Sequence, residues 1–98
     1  MYGFTGSMKA KPGHRDDVLA ILVSGASALR EAGCHLYVVS AALDDEDTIW
    51  VSEVWESKQH HDDSLQLPST KASIAQAMPM LTGEFNANEL TVIGGLGV

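Results

Sequence analysis

An α+β fold of the ferredoxin-like type, a β-α-β-β-α-β chain whose split βαβ units form a two-layer sandwich, is what the sequence predicts. Three observations carry that expectation. The first is strict alternation of apolar and polar residues near the N-terminus, and the second is an apolar repeat at three- and four-residue spacing after it. The third is a pair of strand-forming runs joined by a short acidic turn.

In the first stretch, Tyr2, Phe4, Met8 and Ala10 share one face and Thr5, Ser7 and Lys9 the other, the pattern of a half-buried strand. Pro12-Gly13 ends it. Asp16 and Asp17 then place negative charge where a helix N-terminus favours it. Val18, Leu22, Ala26 and Leu29, with Leu19 and Val23 beside them, form an apolar stripe that runs to Gly33, the expected C-terminal cap. Gly25 weakens the middle of this helix and suits close packing on a sheet. Cys34 to Leu43 and Thr48 to Glu56 are rich in strand formers, and Asp44-Asp45-Glu46-Asp47 between them makes the pair a hairpin with a solvated tip. Ser57 can cap a short helix to about Leu65, and Pro68 suits the first turn of the next one. Ile74, Met78 and Leu81 give that helix an apolar stripe, and Pro79 limits its length. The run Leu90-Thr91-Val92-Ile93 predicts a last strand, with a flexible or bulged end at Gly94-Gly95-Leu96-Gly97.

The two middle strands are apolar on both faces. Leu36 and Val38 oppose Tyr37 and Val39, and Trp50 and Val54 oppose Val51 and Trp55. Helices cover one face of such a sheet, so the other needs a cover too, most simply a second copy of the chain. Trp50 is expected in the core or at that interface.

Length and composition set the outer bounds. At 98 residues the chain is read as one domain, residues 1–98, large enough for a real core. Acidic residues outnumber basic ones 13 to 6, and the net charge of −7 opposes binding to nucleic acid. No segment is long and apolar enough to span a bilayer. The N-terminus Met1-Tyr2-Gly3-Phe4-Thr5 lacks the basic and apolar regions of an export signal. With Cys34 as the single cysteine, a small core hydrophobe rather than half of a disulfide, a reducing cytoplasmic setting is expected.

One residue breaks the pattern. Glu53 lies on the same strand face as Ile49, Val51 and Trp55, so a carboxylate occupies a hydrophobic face. Burying it costs several kcal/mol in rough terms unless it is paired, hydrogen-bonded or protonated, and His61, one helical turn into the next element, is the partner to look for.

The residues Glu53-Val54-Trp55-Glu56-Ser57-Lys58, then His61, Ser64-Leu65 and Pro79-Met80-Leu81, resemble the antibiotic biosynthesis monooxygenase family, in particular its quinol monooxygenase branch. The resemblance covers nearly the whole chain. It implies a homodimer in which two sheets pack face to face as a dimeric α+β barrel, with a pocket between each sheet and its helices. It also implies oxidation of quinols or phenolic polyketides by dioxygen with no metal or organic cofactor. The first strand, Gly3-Phe4-Thr5-Gly6-Ser7-Met8, has no asparagine, which sets the chain apart from the haem-degrading branch. Asparagine is also absent from Trp50 to Ser64, where the polyketide oxidases differ.

Such chemistry needs a site that binds a phenol or quinol, removes its proton and holds the anion away from water. His61 is the expected base, because imidazole is the side chain that changes charge near neutrality. Glu53, Trp55, Tyr37 and Ser64 are the expected substrate-binding residues: Trp55 to stack on a ring, Tyr37 or Ser64 to hydrogen-bond an oxygen, Glu53 to orient His61. The same residues also fit a purely structural role, with Trp55 as core and a Glu53–His61 pair fastening a helix to a strand. The alternative function is therefore a non-catalytic dimeric module that binds a small hydrophobic ligand or serves in stress response. An open cavity reached by His61 favours catalysis, whereas one filled by Trp55, Met78 and Leu81 favours structure. Tyr2, Phe4 and Phe85 read as packing residues.

No metal site is expected. His60 and His61 are neighbours, about 100° apart around a helix, and Cys34 and His35 face opposite ways on a strand. The acidic turn lacks the spacing of a calcium loop, and the glycines at 94, 95 and 97 lead into no helix that would hold a phosphate.

Overall fold

The central strand of the sheet is the alternating N-terminal stretch, which pairs on both sides and thereby brings the two ends of the chain together. The structure is a computed structural model describing residues Met1–Val98. Its elements are β1 (Tyr2–Ala10), α1 (Arg15–Ser24), β2 (Cys34–Ala41), β3 (Thr48–Trp55), α2 (Lys58–Ser64), α3 (Pro68–Ala77) and β4 (Leu81–Thr91). Short 3-10 turns occupy Ala26–Leu29 and Met78–Met80. The strand order is β2-β3-β1-β4 and every neighbouring pair is antiparallel, which is the expected ferredoxin-like arrangement.

Register decides which side chains meet. Tyr2 lies opposite Trp55, Phe4 opposite Glu53 and Met8 opposite Ile49, while Tyr37 of β2 also lies opposite Glu53. These residues share the face covered by the helices. The core there is formed by Ala10, Ile49, Val51 and Leu81 of the sheet, with Val18 and Ile21 of α1 and Ala77 of α3. On the other face Val38, Trp50 and Leu90 are 45%, 42% and 50% exposed, so Trp50 is not a core residue of the protomer. Its partners in β2 and β1 are Ser40 and Ser7.

Several boundaries depart from expectation for local physical reasons. The first helix ends at Ser24 rather than Gly33, because Gly25 stabilises helix poorly; its N–H closes onto the Ile21 carbonyl at 3.3 Å and the chain tightens into a 3-10 turn. Gly25 faces α3, with Ser73 Oγ its nearest neighbour, and not the sheet. Gly33 does turn the chain, at φ +99°, and a Cβ there would lie 2.7 Å from the His60 ring. Ser57 caps α2 as expected, accepting from the His60 N–H, and Pro68 opens α3.

The last strand begins at Leu81, well before Leu90, and only Leu90 and Thr91 of the expected run belong to it. Pairing along all of β1 holds Thr82 to Glu89 extended although their local strand preference is weak. A bulge opposite Lys9, with Gly83 at φ +92°, absorbs the irregular register. Leu81 is thus a strand residue, while Ile74 and Met78 remain 45% and 49% exposed because a cavity lies between α3 and the sheet. The acidic hairpin tip is tied down: Arg15 Nη1 donates to the carbonyls of Asp45 (3.1 Å) and Ala42 (3.4 Å). No helix is long and apolar enough to cross a membrane.

Ile49 is fully buried at the junction of β3 with the helix layer. Ile49→Ala should lower the unfolding free energy in urea by about 2–5 kcal/mol. A loss below about 1 kcal/mol would mean that α1 and α3 do not close over this point of the sheet.

Candidate functional site

A cavity of about 560 Å³ opens between the sheet and the helices, within the size range of small-molecule sites. His61, Glu53, Trp55, Tyr37 and Ser64 all line it. β2 and β3 contribute Tyr37, Glu53 and Trp55 to its floor through the alternation that puts every second side chain on the helix side. α2 contributes His61 and Ser64 from one face, three residues apart.

His61 is held in an aromatic box. Its ring stacks on Phe4 with centroids 5.3 Å apart and 21° between planes, meets Tyr2 at 5.2 Å and receives Trp55 edge-on at 5.6 Å. Its side chain is 12% exposed. Nδ1 lies 3.0 Å from Asp62 Oδ1. A carboxylate only accepts, so Nδ1 carries the proton and the neutral ring keeps its basic lone pair on Nε2. Asp62 is joined in turn to Lys58 at 3.8 Å. Lys58 Nζ donates to Glu89 Oε1 at 2.7 Å, and Tyr2 Oη donates to the same oxygen at 3.2 Å, which closes an exposed ring of polar contacts around the box.

The expected Glu53–His61 hydrogen bond is not formed. Glu53 Oε1 instead accepts from the Trp55 indole N–H at 2.9 Å, two residues along the same strand face. Both partners of the expected pair sit in the cavity wall, but His61 is satisfied by its sequence neighbour, which is closer to hand than the strand. Burial pushes the Glu53 carboxyl above the ordinary glutamate value, against the smaller opposing effects of the Trp55 hydrogen bond and the His61 charge. Burial likewise pushes the Tyr37 hydroxyl to about 12, with the Glu53 charge opposite adding to it, so Tyr37 is a neutral phenol that can donate a hydrogen bond. Ser64 is 3% exposed, and its Oγ donates to the His61 carbonyl at 2.6 Å, leaving only lone pairs for another group.

Three residues expected to serve only in packing also belong here. Tyr2 and Phe4 complete the box around His61, and Phe85, half exposed, lines the cavity wall. The signal for Tyr2 and Phe4 was present in their alternation, but it pointed to the site only once β1 was paired to β3. Ser24, Ser69, Thr70 and Ser73 add hydroxyls from α1 and α3. The other histidines lie apart from this site: His35 contacts Glu56 at 2.7 Å, His60 Nδ1 contacts Ser57 Oγ at 2.6 Å, and His14 lies 3.7 Å from Asp17. No three His, Cys, Asp or Glu side chains gather as a metal-ligand cluster.

The raised Glu53 value has a definite sign for stability. The folded chain binds this proton more tightly than the unfolded chain, so there is no penalty below the ordinary glutamate range, and the full penalty of the ionised group is present above the raised value. Glu53→Gln keeps an oxygen for Trp55 and removes the charge. Its melting temperature should exceed that of the wild type at neutral pH and converge with it near about pH 4. A variant that is less stable than the wild type by the same margin at every pH would contradict the assignment.

Comparison with known proteins places this geometry in context. The family model described as antibiotic biosynthesis monooxygenase matches residues 1–76. A candidate antibiotic biosynthesis monooxygenase from Chloroflexus aurantiacus is 44% identical over 96% of this chain and 94% of that one, with a TM-score of 0.87. Proteins with the same description from Deinococcus radiodurans (23% identical, 100% and 98% of the two chains, TM-score 0.83) and Caulobacter crescentus (19%, 95% and 90%, TM-score 0.87) share the fold. No curated protein sequence matches. On the extent of the family match and the identity to the Chloroflexus protein, the chain belongs to the antibiotic biosynthesis monooxygenase family.

Proposed function

We propose that this protein is a cofactor-independent monooxygenase that oxidises a quinol or another electron-rich aromatic with dioxygen. The observation that carries the reading is the cavity itself: about 560 Å³ of open space, with His61, Glu53, Trp55, Tyr37 and Ser64 all in its walls. Had Trp55, Met78 and Leu81 filled this space, the same residues would read as structure. Trp55 is instead buried in the floor at 1% exposure, and Met78 is half exposed.

In this reading the ring of the substrate lies in the cavity against Tyr37 and Phe85, the buried Trp55 offering no face for stacking, and His61 Nε2 takes its hydroxyl proton. The anion then gives one electron to dioxygen, and the resulting radical pair couples through a ring carbon that bears hydrogen. As that carbon loses its proton the O–O bond breaks, one oxygen staying on carbon as a carbonyl and the other leaving as water. A phenol plus dioxygen thus yields a quinone plus water, with electrons supplied by the substrate. Tyr37, neutral over the whole working range, can donate to the oxygen on which charge develops. Asp62, holding Nδ1, fixes the ring and supports its charge after proton transfer.

The protomer is proposed to work as a homodimer in the cytoplasm, as one domain over residues 1–98, with the sheet face bearing Val38, Trp50 and Leu90 covered by the same face of a second copy as a dimeric α+β barrel. Apolar side chains about half exposed on three strands support that reading.

In an oxygen-electrode assay with a panel of quinols, in the presence of chelator, His61→Ala should reduce uptake by roughly 100-fold or more, the usual worth of a general base. Uptake at the wild-type rate would take the base role from His61. Light scattering at micromolar concentration should give twice the protomer mass for the wild type and the protomer mass for Trp50→Lys. A monomeric wild type would end the barrel reading.

A further inference from the structure

The electrostatics of the cavity point beyond the reaction type to the kind of ligand it accepts. Among its lining residues there is no lysine or arginine, and Glu53 is the only carboxylate. Three of the basic residues are engaged elsewhere, Lys58 with Glu89 and Asp62, Arg15 with the hairpin carbonyls and Lys9 with Asp45, and Arg30 and Lys71, beside Leu29 and Thr70 in the sequence, are not among the lining residues. Glu53 therefore faces the cavity with a single hydrogen bond, from Trp55, and with Phe4 and Tyr37 opposite it on the two flanking strands. A carboxylate in that setting has lone pairs to receive a hydroxyl hydrogen and nothing to receive a second anion. At the helix side the wall offers Ser64, Ser69, Thr70 and Ser73, uncharged hydroxyls suited to another oxygen of the same ligand.

We propose that Glu53 makes this cavity selective for aromatic ligands that donate a hydroxyl hydrogen bond to its carboxylate, and that it rejects aromatic carboxylates. The inference rests on the reading of the cavity as the working site. It gives Glu53 a role as the specificity-determining acceptor for the ligand hydroxyl, beside the proton acceptor at His61. Two groups of like charge brought about 5 Å apart in a partly buried site repel strongly enough to weaken binding on the order of 100-fold.

The test uses three bicyclic probes of one shape: 2-naphthol, 2-naphthoate and 2-naphthylmethylammonium, titrated into the wild-type protein at neutral pH by calorimetry. The naphthol should bind, the naphthoate on the order of 100-fold more weakly, and the ammonium, drawn by the same carboxylate, more tightly than the naphthoate. In Glu53→Gln, with its fold checked by near-ultraviolet circular dichroism, the ratio of naphthol to naphthoate affinity should fall to within a few-fold. The ratio is taken within one variant, so a general loss of affinity does not imitate the effect, and the wild-type series stands without the variant. Equal binding of naphthol and naphthoate, an ammonium that binds no more tightly than the naphthoate, or a ratio unchanged in Glu53→Gln would each overturn the selectivity and leave the cavity as the site. Absence of binding by all three would overturn the selectivity and the cavity reading together.

Discussion

The hydrogen bond from the Trp55 indole N–H to the Glu53 carboxylate, 2.9 Å long, is the interaction on which the rest of the site depends. A carboxylate on the helix side of a sheet cannot be packed over by apolar side chains without a large desolvation cost, and no cation sits among the residues around it. One indole donor satisfies one oxygen and leaves the remaining lone pairs to the cavity. The space in front of Glu53 therefore stays open, whereas the neighbouring positions Ile49 and Val51 on the same strand face close against α1 and α3.

From that constraint the electrostatics of the floor follow. Glu53 raises Tyr37, already raised by burial, and so keeps it a donor; it faces Phe4 on the other side and leaves His61 to Asp62. His61 is fixed by stacking on Phe4 and Tyr2 and by the edge of Trp55, so the two proton-binding groups of the site are held by separate sets of contacts. One strand supplies the acceptor and one short helix supplies the base. The Ser57 cap and the left-handed turn at Gly33, packed on the His60 ring, join the helix to the sheet.

Much of this was legible in the residues. Alternation in Tyr2–Ala10, the paired runs across the acidic turn, Ser57 and Pro68 led to the observed order of elements, and the misfit of Glu53 among Ile49, Val51 and Trp55 pointed to the cavity floor. What could not be read depends on tertiary pairing. Thr82 to Glu89 have little strand preference of their own and are extended because β1 needs a partner along its whole length. The end of α1 at Gly25 follows from a balance between a weak helix residue and the packing beyond it. Glu53 and His61 are complementary as acceptor and donor, but a sequence-adjacent carboxylate, Asp62, and an indole two residues along the strand, Trp55, reach them first. Phe85 is apolar without being packed in the core, because the cavity, not a neighbouring side chain, lies in front of it.

An uncompensated carboxylate in the cavity wall sets the character of the site, and the direct measurement is the titration of the Glu53 side-chain carboxyl by carbon NMR in the selectively labelled protein. Its midpoint should lie above that of an ordinary glutamate, and above those of Glu56 and Glu89, which the His35 and Lys58 contacts hold below it. A midpoint at or below the ordinary glutamate value would mean that a cation pairs with Glu53 or that water solvates it fully, and both the open cavity floor and its role in choosing a ligand would lose their physical basis.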